Sequence, residues 1–146
     1  ENTGTQFVGK WHNNKLHWHK NQIQFANGNF YEGCIKNGEI SGEGKMIYKT
    51  NEAVAYTGEW LNGEWHGKGI IKYTDGETYT GEFYENERRG QGKCVWPSGI
   101  EYEGGWKCDN IHGEGMLDAR KLDNRIHFGP WSEGIQLQAG YTMTII

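Results

Sequence analysis

The chain has 146 residues and a net charge of −4 at pH 7, a length that suits one domain. Hydrophobic residues make up only 35% of it while aromatic residues reach 14%, which argues against a thick aliphatic core and favours a thin structure that buries aromatic rings. Residues 31–117 carry nine Lys and Arg against fifteen Asp and Glu, and this acidic balance opposes nucleic-acid binding through phosphate contacts.

The N-terminal segment, residues 1–30, is predicted to be a degenerate repeat that caps the units following it. Residues 7–11 match the first strand of a unit, but residues 16–20 lack the paired glycines of a second strand. The segment does not begin with the basic start and apolar stretch of a signal peptide. No run in the chain approaches the ~18–20 apolar residues of a membrane span.

Basic side chains are concentrated in this segment. Three of them are the predicted contacts for acidic lipids: Lys10, Lys15 and Lys20. Three histidines lie close together in the same stretch: His12, His17 and His19. A zinc or copper pair is conceivable there, but no cysteine or acidic pattern supplies a third ligand. We therefore predict no metal site and interpret the histidines as a polar cap that faces a partner.

The tripeptide Tyr-Xaa-Gly recurs four times, beginning at residues 31, 56, 79 and 102. Each is followed by Gly-Xaa-Gly, and the interval from the tyrosine to the first of these glycines is the same in all four units. A fixed period of this size predicts a stacked array rather than a globular enzyme. The predicted units are 31–55, 56–78, 79–101 and 102–117. Their structural positions are Tyr31, Gly33, Gly42, Gly44, Tyr56, Gly58, Gly67, Gly69, Tyr79, Gly81, Gly90, Gly92, Tyr102, Gly104, Gly113 and Gly115.

Each unit is predicted to be a β-hairpin followed by a turn into the next hairpin. In the third unit, residues 77–84 and 90–96 alternate with period two, as half-buried strands do. Asn37-Gly38 and Asn62-Gly63 suit the positive φ angles of a tight hairpin turn. The predicted fold is all-β, a single-layer antiparallel β-meander of stacked hairpins.

The alternation also assigns two faces to the sheet. Tyr79, Gly81 and Phe83 share one side of their strand, and Gly92 and Cys94 face the same way from the partner strand. Because no second sheet is available, we expect the glycines to leave a lane of bare backbone on which rings lie. Burying one ring removes ~150–250 Å² from water, which at ~25 cal/mol/Å² is several kcal/mol.

Aromatic side chains provide the best functional lead, because they are too many to be buried in one thin sheet. Aromatic grooves suit a bound helix or extended peptide, and Trp and Tyr dominate binding hot spots. The alternative is that most of these rings stack within the chain. Trp65 is expected at the rim, since it is predicted to lie in a hairpin turn, after Asn62-Gly63-Glu64. The predicted partner-binding groove consists of Tyr48, Trp60, Trp65, Tyr73, Phe83, Trp96 and Trp106.

We find no catalytic constellation, so the chain is predicted not to be an enzyme and to use no cofactor. Repeated carboxylates such as Glu59 and Glu82 are expected to be solvated, and they do not form an acid–base pair. His66 and His112 precede the same glycine in their units and are expected to pack or to form hydrogen bonds. Every Gly-Xaa-Gly leads into a strand, which excludes a phosphate-binding loop. The cysteines form no Cys-Xaa-Xaa-Cys pair and are interpreted as reduced thiols: Cys34, Cys94 and Cys108.

Residues 118–146 are predicted to hold a partial repeat and a C-terminal cap. Residues 127–134 resemble the first half of a unit, whereas residues 118–125 fit no unit. Residues 141–146 are apolar and weakly alternating, which favours an edge strand or a contact with a partner. Edge strands at both ends would also allow a homodimer.

The pattern Tyr-Xaa-Gly-Xaa-Trp followed by His-Gly-Xaa-Gly resembles the MORN (membrane occupation and recognition nexus) family, most closely over residues 56–69. The resemblance covers four full units, with partial ones at 7–28 and 127–134. It implies an elongated, twisted β-meander. Ile35 and Phe83 replace the family's Trp, and Cys34 and Gly105 occupy its usual polar position.

The resemblance also implies a function. Members of this family work mostly as protein–protein scaffolds, often in cytoskeletal or ciliary assemblies. We therefore expect a cytoplasmic protein, at the cytoskeleton, the cilium or the cytoplasmic face of a membrane, that belongs to a large complex. Its partner would be a helix or extended peptide, and the acidic array favours a basic one. Two alternatives stay open: a peripheral tether for acidic phospholipids, and an accessory region of a larger enzyme.

Overall fold

The computed structural model describes residues 4–8, 11–12, 15–16, 21–49, 53–138 and 140–145. Nearly all of its regular structure is strand. The strands in this part of the chain are β1 (Gln6–Val8), β2 (Trp11–His12), β3 (Lys15–Leu16), β4 (Asn21–Gln24), β5 (Phe30–Lys36), β6 (Glu39–Ile47), β7 (Ala53–Leu61), β8 (Glu64–Tyr73), β9 (Thr78–Tyr84), β10 (Glu87–Val95), β11 (Glu101–Lys107), β12 (Asn110–Asp118), β13 (Arg125–Ser132), β14 (Ile135–Gln136) and β15 (Tyr141–Thr144). The helix α1 (Arg120–Asp123) is a single turn between β12 and β13.

The strands form one open antiparallel sheet that follows the order of the chain from β4 to β14. At one end β1 pairs with β4, where Phe7 lies opposite Ile23, while β2 and β3 make a separate hairpin. At the other end β15 pairs with β13, where Tyr141 lies opposite Phe128. The predicted all-β, single-layer meander of hairpins is confirmed for the described residues.

The tight turns of the hairpins use left-handed backbone at both central residues. Asn62 has φ 50° and Gly63 has φ 84°, as a two-residue turn that matches strand twist requires. In the third unit the same turn is Glu85-Asn86, with φ 51° and 67° and no glycine. Asn86 has a second role there, because its Oδ1 accepts the Trp65 N–H at 2.8 Å and its own N–H donates to the Trp65 carbonyl at 3.2 Å. The turn thus ties its hairpin to the preceding one.

A row of glycines crosses the sheet at right angles to the strands. In successive ladders the paired residues are Gly33, Gly44, Gly58, Gly69, Gly81, Gly92, Gly104, Gly115 and Gly129. The ring of Tyr79 lies over this row: a Cβ added to Gly92 would overlap the tyrosine hydroxyl and lie 2.5 Å from ring atom Cε2. The rings of Tyr31, Tyr56 and Tyr102 lie in the same way over the glycines of their own units. All four tyrosines are 0% exposed.

Each of the four hairpins also contains a register shift beside the glycine row, and a tyrosine hydroxyl compensates for it. In the β7–β8 ladder the shift falls between Gly58 and Trp60, which leaves Glu59 without a ladder partner. The Tyr56 hydroxyl donates to the Glu59 carbonyl at 2.8 Å. The other tyrosines donate in the same way to the residue three positions ahead, at 2.8–3.1 Å: Tyr31, Tyr79 and Tyr102. An unsatisfied buried carbonyl would cost ~1–3 kcal/mol, so these hydroxyls support the fold.

A glutamate carboxylate also compensates for the register shift, by accepting a backbone N–H of the paired strand. Glu59 Oε1 accepts the Lys68 N–H at 2.9 Å, and Glu82 Oε1 accepts the Gln91 N–H at 3.0 Å. The prediction that these glutamates are exposed is confirmed, and the structure adds that their carboxylates bind backbone N–H groups of the sheet. They are exposed, yet each binds the amide between the two glycines of its Gly-Xaa-Gly. Gly105 replaces this glutamate in the fourth unit and cannot make the bond.

Candidate interaction surface

An alternating series of aromatic rings runs along one face of the sheet; we call it the aromatic ladder. Each ring meets the next edge to face, with centroids 4.9–5.9 Å apart and interplanar angles of 80–86°. Such pairs contribute ~0.5–1.5 kcal/mol each beyond the area that they bury. The members in spatial order are Tyr31, Trp60, Tyr56, Phe83, Tyr79, Trp106, Tyr102 and Trp131.

Indole N–H groups anchor the ladder to the preceding unit. Trp60 Nε1 donates to the Gly44 carbonyl and Trp106 Nε1 donates to the Gly92 carbonyl, both at 3.1 Å. Phe83 has no N–H and stacks without this bond. Trp131 of β13 donates to the Gly115 carbonyl at 3.4 Å, so the partial C-terminal repeat closes the ladder in the same way.

Six of the seven residues predicted to line a groove divide into two sets of three in the structure, and the seventh, Trp65, lies between the sets. Trp60, Phe83 and Trp106 are only 3–5% exposed, because the ladder encloses them. They therefore offer very little surface to a partner in this conformation.

The second set forms a row at the end of the hairpins where each unit turns into the next. Tyr48, Tyr73 and Trp96 are half-buried against the core and hold equivalent positions in successive units. The backbone N–H of each closes the following turn, for example from Trp96 to Ile100 at 2.9 Å. Phe25 belongs to the same row, and sequence reasoning missed it although it holds the position of Tyr48 one unit earlier. We call these four residues the outer row.

Trp65 connects the ladder with the outer row. It lies within β8 and not in the preceding turn, and its ring stacks on Tyr56 with centroids 5.1 Å apart at 11°. Its Nε1 donates to the Tyr48 hydroxyl at 2.8 Å. Burial raises the pKa of Tyr48 to about 12, although that bond opposes the shift.

Arg88 holds the position of Trp65 one unit later, and the sequence analysis did not single it out. Its guanidinium lies 4.5 Å from the Trp106 ring centroid and pairs with Glu77 at 2.7 Å and Asp109 at 3.0 Å. Its position in the repeat could have identified it, because Arg88 lies two positions before the first glycine of its Gly-Xaa-Gly, as Trp65 does in the preceding unit. The charge is thus balanced, and Arg88 replaces an aromatic ring in the packing.

A smaller apolar surface lies near the C-terminal end, on the opposite face. Phe128 and Tyr141 stack there with centroids 4.9 Å apart. Tyr141 is 60% exposed and Met143 is 49% exposed. The prediction that residues 141–146 contact a partner therefore stays a prediction, on a surface that is accessible.

The predicted lipid and metal contacts lie mostly outside the described residues. Lys10, Lys20, His17 and His19 are among those not described, and for Lys15 and His12 only the strand pairing is described. Elsewhere in the described ranges, no group of three or more His, Cys, Asp or Glu is placed to hold a metal ion. A search of the same ranges for a helix with the length and apolarity to cross a bilayer found none.

Comparison with protein families agrees with the geometry. The family model described as MORN repeat matches residues 31–52, 56–78, 79–101 and 102–119, which together make up more than half of the chain. Every match begins at one of the four buried tyrosines. Comparison with curated proteins found no match.

Proposed function

Since the chain belongs to the MORN repeat family, we propose that it is a non-catalytic scaffold that binds a protein partner along the outer row. One observation carries this proposal. The aromatic ladder is satisfied by its own contacts, whereas the outer row leaves four rings half-buried at regular intervals: Phe25, Tyr48, Tyr73 and Trp96. The family favours a cytoplasmic setting within a cytoskeletal or ciliary assembly.

The spacing of the outer row defines the shape of the partner. Equivalent residues of neighbouring hairpins are two strands apart, which is about 10 Å. Two turns of an α-helix rise about 11 Å, and three residues of an extended chain span about 10 Å. A helix with an apolar residue at every seventh position would therefore match the row, as would an extended segment in the polyproline II conformation, in which every third residue points the same way.

Charge and hydrogen bonding indicate which chemical groups the partner should carry. The array carries an excess of six negative charges over residues 31–117, which steers basic segments toward it. Arg88 does not oppose them, because Glu77 and Asp109 neutralise it. The Trp96 indole N–H has no acceptor among the described residues and is not buried, so it can donate to a partner carbonyl. Tryptophan is the residue type most enriched in binding hot spots.

The test is cross-linking mass spectrometry in extract from the native source. The variants are the double change Tyr73→Ala/Trp96→Ala and a matched control, Ile70→Ala, which removes an exposed apolar side chain from the opposite face. We expect one recurrent protein to cross-link to the unaltered chain and to the control, and to fall at least tenfold with the double variant, since a hot spot contributes ~2 kcal/mol or more. Equal recovery with all three proteins would contradict the proposal. Circular dichroism verifies that each variant is folded.

A further inference from the structure

A recess of about 540 Å³ lies close to the tight turns of the second to fourth units. Most of its lining residues alternate along their strands with members of the aromatic ladder, and two ladder residues, Phe83 and Trp106, also line it. Its lining contains one carboxylate, that of Glu82, and the ring of Tyr84. It also contains four basic side chains: His66, Arg89, Lys107 and His112. In an array with an acidic balance, this concentration of basic groups requires an explanation.

The repeat itself builds this basic group. His66, Arg89 and His112 hold equivalent positions in three successive units, each directly before the first glycine of Gly-Xaa-Gly. The β10–β11 ladder pairs Gly90 with Trp106, which places Arg89 and Lys107 beside each other one residue further along. Like charges at such positions destabilise a sheet. A bound anion would remove that repulsion.

Glu82 lies opposite Arg89 in the β9–β10 ladder, but no ion pair of the described residues joins them. Among the described residues, Arg89 and Lys107 take part in no salt bridge. The Glu82 carboxylate is engaged by the Gln91 N–H at 3.0 Å. His112 Nδ1 is buried and has no hydrogen-bond partner in the described part of the chain.

Packing holds two of the groups in place before any ligand binds. The Arg89 guanidinium lies 5.1 Å from the centroid of the Tyr84 ring, and the His66 ring lies 5.1 Å from the same centroid. Tyr84 therefore fixes both side chains at the edge of the recess. A preorganised site loses less side-chain entropy on binding.

We propose that this recess binds one phosphorylated side chain of a protein partner. A phosphate monoester carries up to two negative charges and three acceptor oxygens, which match the two cations and the imidazole donors. The planar guanidinium of Arg89 can donate two parallel hydrogen bonds to it. This inference does not rest on the proposed function, because no residue of the outer row lines the recess.

The surroundings favour an isolated phosphate over a membrane. Glu64, Glu87 and Glu114 are exposed, and each lies two positions along its strand from a basic residue of the recess. A bilayer of acidic lipids would present a continuous negative surface to these carboxylates, which repel it. A single phosphorylated side chain presents one local charge and so meets less of this repulsion than a continuous acidic surface does.

The test is an NMR titration of the ¹⁵N-labelled chain with N-acetyl-O-phospho-L-serine amide, with the unphosphorylated compound as ligand control. We expect saturable shifts at the amides of Arg89, Lys107 and His112 with the phosphorylated probe alone. The double variant Arg89→Gln/Lys107→Gln should bind at least about tenfold more weakly, because it loses charge-assisted hydrogen bonds. The matched variant Lys45→Gln/Lys72→Gln removes the same charge from the same face and should bind like the unaltered chain. Thermal unfolding verifies that both variants fold.

Three results would overturn the proposal. The first is the absence of shifts around the recess, and the second is an equal loss of binding in both double variants, which would indicate unspecific attraction. The third comes from co-sedimentation with phosphatidylcholine vesicles that contain phosphatidylserine or a phosphoinositide. Vesicle binding that requires Arg89 but is not inhibited by the phosphoserine probe would assign the recess to a membrane surface. Failure to find a partner whose cross-linking depends on Tyr73 and Trp96, with phosphoserine binding as expected, would count against the proposed function alone.

Discussion

Replacing Gly92 by alanine tests why the glycine row exists. The new Cβ would overlap the hydroxyl and ring of Tyr79, a side chain that is 0% exposed. Full expulsion of the ring would return ~150–250 Å² to water, worth ~4–6 kcal/mol at ~25 cal/mol/Å². Because the sheet can relax in part, we expect the free energy of unfolding to fall by about 3 kcal/mol, the upper end of the usual cost of overpacking.

The assay is urea denaturation followed by tryptophan fluorescence, arranged as a double-mutant cycle with Tyr79→Leu. Leucine keeps an apolar side chain but lacks the atoms that a Cβ at position 92 would meet. In that background Gly92→Ala should cost less than ~0.5 kcal/mol, because alanine is otherwise preferred to glycine in a strand. Gln91→Ala serves as a control on the same strand. Additive effects of the two substitutions would refute the reasoning, since the ring would then not be what excludes the side chain.

Three further predictions follow from the same packing. Glu82→Ala should lower the free energy of unfolding by ~1 kcal/mol, because the Gln91 N–H loses its acceptor. The control Glu103→Ala should lower it by less than ~0.5 kcal/mol. Equal values for the two variants in urea denaturation would contradict this. Iodoacetamide at pH 8 should modify exposed Cys108 at least tenfold faster than buried Cys94, whose pKa is raised by burial; equal rates measured by mass spectrometry would contradict it. Burial also raises the pKa of each of the four tyrosines that lie over the glycine row, to about 12 for Tyr102. As the pH rises past about 10, the unfolded chain therefore loses these protons before the folded chain does. The buried Cys94 thiol acts in the same direction from about pH 8.5, so the urea midpoint should fall from there to about pH 12, and a midpoint that stays constant from pH 8 to pH 11 would be the contrary result.

The hairpin repeat is predictable from sequence because its signals are local. A turn such as Asn62-Gly63 and the period-two alternation around it depend on a few adjacent residues. The fixed interval then fixes which strands pair. The fold and the family could be predicted on this basis.

The register shifts are not predictable in that way, because they belong to two strands at once. Nothing in the residues around Glu59 shows that its carbonyl and its carboxylate are both needed to complete the β7–β8 ladder. Similarly, Trp60 and Trp96 are the same residue type on the same face. Only the neighbouring units decide that one is enclosed in the ladder and the other half-buried. Arg88 illustrates the same limit, since its place in the packing depends on Glu77 and Asp109 from two other hairpin segments.

The most direct test of the scaffold proposal is site-specific photo-cross-linking in extract from the native source. A photoreactive p-benzoylphenylalanine replaces Trp96 in one variant of the chain and Ile70 in another, so that the outer row and the opposite face are compared with the same probe. We predict that the probe at position 96 captures one discrete protein and that the probe at position 70 does not. Capture of no protein from position 96, or of the same protein from both positions, would contradict the account.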